Sequence, residues 1–144
     1  MPQATLSIEV DVPPEKLFDV IIDFDSYSSF LSDLGLQESK VLSKTDDTME
    51  VESVVKKMGF SDRYTLKYKL QRPNSITWTF IKGKLTKDNK GSWKLEQLDK
   101  GRTKATYSLE ASFGWMVPKA LVAKGIELEL PKLLEAFKKR AESV

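Results

Sequence analysis

The chain has 144 residues, 40% of them apolar and 31% charged, with 23 basic and 21 acidic side chains and a formal net charge of +2. That composition fits one folded domain and excludes a disordered chain, and the near balance of charge gives no bulk electrostatic case for nucleic acid, so no DNA partner is expected. Cysteine and histidine are both absent, which removes disulfides, thiolate nucleophiles, the usual general base at neutral pH and the commonest ligands of zinc, copper and iron.

The N-terminus "MPQATLSIEV" has no basic segment followed by an apolar run, so it does not read as a signal peptide. No stretch approaches the roughly 18 apolar residues that span a bilayer. A cytoplasmic protein is the expectation. Residues 5–12 alternate, with Leu6, Ile8, Val10 and Val12 on one face, as in a half-buried strand. Pro13 and Pro14 end it, and Pro14 suits a first helical turn. Leu17, Phe18, Ile21 and Ile22 then fall at helical spacing. Asp23 to Leu34 reads as a turn and a second short helix capped by Asp25 or Ser26. Tyr27, Phe30, Leu31 and Leu34 form its apolar stripe, and Gly35 stops it.

From 36 to 113 the signal is nearly all strand. An edge strand is expected at 37–45. Strand 48–58 turns Met49, Val51, Ser53 and Val55 one way, and residues 59–62 turn the chain. Strand 63–72 turns Tyr64, Leu66, Tyr68 and Leu70 inward, with Arg63, Thr65, Lys67 and Lys69 outward. Strand 76–83 carries Ile76, Trp78 and Phe80 on one face. "KDNKG" at 87–91 breaks the pattern, and 92–98 resumes it with Trp93 and Leu95. After a hairpin turn at 99–102, strand 103–113 places Ala105, Tyr107, Leu109, Ala111 and Phe113 together. Residues 118–142 return to helical spacing through Leu121, Val122, Ile126, Leu130, Leu133, Leu134, Phe137 and Ala141. Such a helix is roughly 36 Å long. Gly125 lies within it, and Pro131 is expected to kink it or break it in two. Consecutive strands with short turns make an antiparallel meander. The fold class is α+β: a seven-stranded curved antiparallel sheet, two short helices after the first strand, and one long C-terminal helix over a concave face.

This pattern resembles the helix-grip fold of the START/birch-pollen-allergen (SRPBCC) superfamily. More narrowly it resembles the polyketide cyclase/dehydrase-like group, which includes coenzyme-Q-binding proteins and a ribosome-association toxin. The stretches that carry the resemblance are "SIEVDVPPEKLFDVIIDFDSYSSFL", "WTFIKGKLTKDNKGSWKLEQLDKGRTKATYSLEASF" and the amphipathic segment that ends in "KKRAES". Within them, Gly91 and Trp93, and the run Gly101, Thr103, Tyr107, fit the group. A single START-like domain over residues 1–144 is implied. So is a deep cavity between sheet and long helix, walled by Val51, Ser53, Val55, Tyr64, Leu66, Tyr68, Trp78, Phe80, Trp93, Tyr107, Leu109 and Phe113 from the sheet and by Val122, Ile126 and Leu130 from the helix. Its entrance is expected near Phe30, Leu34, Trp115, Met116 and Val122. The residues themselves leave two readings open. The inward face is either a packed core with tyrosine hydroxyls at its rim, or a pocket in which a ligand or water satisfies those hydroxyls, and three inward tyrosines favour the pocket.

Motifs for other chemistry fail one by one. Asp23 and Asp25 start like a calcium loop, but Tyr27 and Ser28 stand where an oxygen ligand and a glycine are needed. No nucleophile–base pair and no phosphate-cradling glycine loop is present. Glu9, Glu50, Glu52 and Glu110 alternate with apolar positions and face outward. No catalytic residue, metal or cofactor is therefore assigned. Lys56, Arg63, Lys67 and Lys69 fall on the convex face, where they read first as a solubilising outer surface and second as a patch for transient contact with an acidic partner, a membrane or the ribosome. The expected function is binding of a hydrophobic small molecule (a lipid, isoprenoid quinone or polyketide), with a cyclase, aromatase or dehydratase, or a ribosome- or protein-interaction module, as the alternatives.

Overall fold

The computed structural model describes residues 3–57, 59–99 and 101–144. Seven strands form one antiparallel sheet: β1 Gln3–Val10, β2 Leu36–Lys44, β3 Thr48–Lys57, β4 Phe60–Gln71, β5 Ser75–Gly83, β6 Thr86–Gln97 and β7 Thr103–Phe113. Their order is β1-β7-β6-β5-β4-β3-β2. Because β1 and β2 are opposite edges, the chain between them must cross the sheet, and the helices do this. They are α1 Pro14–Ile22 and α2 Tyr27–Phe30, with 3-10 turns at Phe24–Ser26 and Ser32–Leu34. Helix α3, Lys119–Ser143, then lies against the concave face. This is the helix-grip arrangement. No helix among the described residues is long and apolar enough to cross a membrane.

Several local expectations are corrected. The second short helix is only one α-helical turn between two 3-10 turns, and no side chain caps it. Ser26 instead donates its hydroxyl to Asp23 Oδ2 at 2.7 Å. Gly35 ends the segment with φ of 97°. A Cβ there would stand 2.7 Å from the Lys56 carbonyl oxygen, so only glycine lets the chain turn onto β3. Leu6 is more exposed than an inward face allows, because β1 is an edge.

The turn expected at 59–62 is tighter, since Phe60, Ser61 and Asp62 already belong to β4. Thr65 is buried, unlike Arg63 and Lys67 on the same strand face, and its hydroxyl has no hydrogen-bond partner among the described residues; it sits in β4, flanked by β3 and β5. The break expected at 87–91 is not one. Those residues lie inside β6, paired with β7. The turn falls at residues 84–85 instead. The polar run is strand because its inward members pack specifically. Trp78 donates its indole N–H to Asn89 Oδ1 at 2.9 Å. A Cβ on Gly91 would lie 2.3 Å from both the Trp78 ring and the Ser108 carbonyl oxygen.

Helix α3 runs unbroken through Pro131. Its two halves differ. Leu130, Leu134, Phe137 and Ala141 are buried in the core. Leu121, Val122, Gly125 and Ile126 are only half-buried. The C-terminal half is packed; the N-terminal half spans open space.

Candidate ligand-binding cavity

That space is a cavity of about 410 Å³ between the concave sheet face and the first turns of α3. Its size falls in the range of roughly 300–1,000 Å³ common to small-molecule sites. Antiparallel registers bring the end of β3, the start of β4, the β5–β6 turn and the end of β7 to one end of the sheet. The cavity extends to that end, where Lys57, Asp62, Leu85, Thr86, Phe113 and Val117 line it.

The opposite, inner end is aromatic. Ring centroids form a closed circuit: Phe24–Tyr27 at 4.9 Å, Tyr27–Phe137 at 5.4 Å, Phe137–Trp93 at 5.2 Å, Trp93–Tyr107 at 4.9 Å, Tyr107–Trp78 at 5.4 Å, Trp78–Tyr68 at 5.7 Å and Tyr68–Phe24 at 4.6 Å. The circuit ties the sheet, the short-helix segment and α3 together, each contact contributing about 0.5–1.5 kcal/mol beyond burial. It also leaves polar handles in an apolar wall. Tyr27 spends its hydroxyl on the Ile21 carbonyl oxygen. The hydroxyls of Tyr68 and Tyr107 have no protein hydrogen-bond partner among the described residues, and both residues line the cavity.

Burial raises the phenol pKa of all four tyrosines. Tyr64 is pushed up to about 12 by desolvation first and the neighbouring Asp62 charge second, against a smaller lowering by a hydrogen bond with Ser53. Tyr27, Tyr68 and Tyr107 are raised further, chiefly by burial and then by neighbouring phenols, Tyr68 and Tyr107 for Tyr27 and Tyr64 for the other two. At neutral pH these groups are hydrogen-bond donors, not bases.

Asp62 is the cavity's buried carboxylate. Its Oδ1 accepts the Leu85 amide at 2.8 Å, and its Oδ2 accepts the Thr86 amide at 3.0 Å and the Thr86 hydroxyl at 2.5 Å. Among the described residues β5 and β6 pair only from Ser75–Lys94 to Trp78–Gly91. Asp62 therefore holds the tip of a splayed hairpin onto β4. Lys57 bridges another gap: Nζ pairs with Glu129 Oε2 at 2.8 Å and donates to the Leu34 carbonyl at 3.3 Å, joining β3, the second 3-10 turn and α3.

Of the residues expected at the cavity, Ser53, Val55, Tyr64, Leu66, Tyr68, Trp78, Trp93, Tyr107, Leu109, Phe113, Val122, Ile126 and Leu130 surround it. Val51 is buried in the core and half-buried Phe80 packs against it, and neither lines the cavity. Of the residues expected at the entrance, Leu34 lines the cavity. Phe30 does not; it packs edge-on against Tyr27 and Phe137 under the Arg140 guanidinium. Trp115 and Met116 also stand outside the lining and project into solvent.

Sequence reading missed Asp62, Thr86 and Asn89, as well as Lys57 and Glu129. Asp62 shares the even-numbered face of Tyr64, Leu66 and Tyr68, so starting the strand at 60 would have found it. Thr86 faces inward only because the register slips between Thr86 and Asp88, which periodicity does not show. The convex basic group is diluted by acids. Arg63 pairs with Glu52 at 2.7 Å, and Lys67 sits opposite Glu50.

A family model for polyketide cyclase/dehydrase and lipid transport proteins matches residues 10–138. The ribosome association toxin RatA of Escherichia coli K12 is 25% identical over 144 residues, all of this chain and 89% of the toxin. The ZhuI aromatase/cyclase of Streptomyces sp. R1128 superposes with a TM-score of 0.85 at 15% identity, over 97% of this chain and 93% of that one. A START superfamily protein of Mycobacterium smegmatis gives 0.83 at 17% identity, over 97% of both chains.

Proposed function

The chain belongs to the polyketide cyclase/dehydrase and lipid transport family, and from that membership and the cavity's chemistry we propose that it binds a hydrophobic small molecule, as a carrier, chaperone or sensor. The observation that carries this reading is a pair of phenols lining a largely apolar cavity, buried Tyr107 and half-buried Tyr68, whose hydroxyls have no hydrogen-bond partner among the described residues. A ligand with an apolar body and a carbonyl or other acceptor takes up those hydrogen bonds, each contributing about 0.5–1.5 kcal/mol, while burying its own surface at roughly 25 cal/mol per Å². Long-chain lipids, isoprenoid quinones and polyketides have this character.

Asp62 favours binding over catalysis. Both its oxygens are committed to the hairpin tip, so it is not poised as an acid or base toward a substrate. A ribosome-contact reading draws on the alignment of the whole chain with 89% of RatA. It would use the outer surface, and sedimentation with ribosomes at rising salt tests it separately.

Native mass spectrometry tests the binding reading. The purified protein, or the protein incubated with oleate, is expected to carry a single apolar adduct. Repeated absence of an adduct under both conditions contradicts the proposal.

A further inference from the structure

Trp115 and Met116 occupy the two central positions of a turn closed by a hydrogen bond from the Val117 amide to the Gly114 carbonyl, 3.0 Å. Trp115 is 92% exposed and Met116 61%, whereas Trp78 and Trp93 are 5% and 3% exposed. The turn is anchored: the Gly114 amide donates to the Leu85 carbonyl at 2.7 Å, which fixes it beside the β5–β6 tip. Leu85 and Val117 line the cavity, so the two protruding side chains stand at its rim. An indole and a thioether held side by side in water mark a contact surface.

The charge around them is predominantly positive. Residues 82–90 carry four lysines and one aspartate, and residues 114–124 carry two lysines and no acid. Lys87 Cε lies 3.4 Å from where a Gly114 Cβ would be. Lys84, Lys87 and Lys119 are exposed and make no ion pair among the described residues.

We propose that this rim docks on an anionic lipid bilayer. Trp115 and Met116 enter the boundary between headgroups and acyl chains, where an indole is favoured. Lys84, Lys87 and Lys119 meet the headgroup phosphates. The purpose, exchange of a ligand between bilayer and cavity, rests on the proposed function; the surface itself is read from exposure, anchoring and charge. Free lysines around a protruding apolar pair match headgroup phosphates above acyl chains; RNA and a second copy of the chain are the outcomes that the test separates from a bilayer.

Vesicle flotation with the whole chain tests it, using phosphatidylcholine with and without phosphatidylglycerol. Binding is expected only with phosphatidylglycerol, with a blue shift in emission that Trp115→Ser abolishes and a decline as salt rises. Trp115→Ser with Met116→Ser is expected to weaken binding at least about tenfold, and each of Lys84→Gln, Lys87→Gln and Lys119→Gln about fivefold, with unchanged thermal unfolding. No flotation, equal flotation without phosphatidylglycerol, indifference to the Trp115 and Met116 substitutions, or a Trp115-dependent shift on dimerisation or on added RNA in place of vesicles overturns it. Oleate uptake is measured on the same samples. Lost flotation with retained uptake removes the docking surface and leaves the cavity reading; flotation without uptake does the reverse.

Discussion

Asp62 accepts hydrogen bonds from both the amide and the hydroxyl of Thr86, a residue 24 positions away. The two meet where β5 and β6 have parted, so the carboxylate does the work that strand pairing does elsewhere in the sheet. Asp62→Ala strands two backbone amides and a hydroxyl in a buried site. A loss of about 2–4 kcal/mol in urea unfolding is expected, given roughly 1.5–3 kcal/mol for a hydrogen bond to a charged group. Asp62→Asn should also lower the Tyr64 pKa, because the Asp62 charge is the second cause of its rise; burial still keeps it above the ordinary tyrosine value.

Gly91 and Gly125 are expected to respond oppositely to added bulk. A Cβ at Gly91 collides with backbone and ring atoms, so Gly91→Ala should cost on the order of 1–3 kcal/mol or more, as overpacking does. A Cβ at Gly125 meets nothing within 4 Å. Gly125→Ala should raise stability by up to about 1 kcal/mol through helix propensity. Gly125→Leu should keep the fold, fill part of the cavity and reduce oleate uptake. Chemical denaturation and ligand titration of the three variants check this.

Phe30 separates a gate from a core residue. It packs against Tyr27, Phe137 and Arg140 outside the cavity lining. Phe30→Ala is expected to lower stability by about 1–3 kcal/mol and to leave ligand affinity unchanged in the folded fraction. Altered uptake at unchanged stability would show that it gates the cavity.

High pH should unfold the protein through its tyrosines. Each phenol is held above its ordinary pKa in the folded state. The unfolded chain therefore releases its protons first, above pH about 10. Stability is full below that point and falls as pH climbs toward the folded-state value, about 12 for Tyr64. Tyrosinate absorbance should stay low until unfolding and then appear cooperatively. A smooth titration centred at the ordinary value in folded protein would contradict the buried ring.

The fold was legible because its longest elements have a clean period. The alternation of Tyr64, Leu66, Tyr68 and Leu70, and the helical spacing from Leu121 to Ala141, dictate the faces that meet. What was not legible depends on contacts between distant residues. "KDNKG" looks like a break until Trp78 is placed over Gly91 and bonded to Asn89. Thr86 turns inward at a register slip. Pro131 stays inside a continuous helix, with Leu130 and Leu134 beside it buried in the core. Among site residues, the apolar wall followed from alternation, while Asp62 and Lys57 sit at the ends of strands, where periodicity carries least information, and Glu129 of α3 is placed by its pairing with Lys57.

The most direct measurement is a titration of the Trp115→Phe variant, whose remaining fluorophores Trp78 and Trp93 both line the cavity. Oleate, or a short-tailed ubiquinone as a quencher, is expected to change their emission saturably at one ligand per chain, and the same change should be weakened when Gly125→Leu is added. No saturable change, or an identical change with the cavity filled, would contradict the binding of an apolar ligand between sheet and helix.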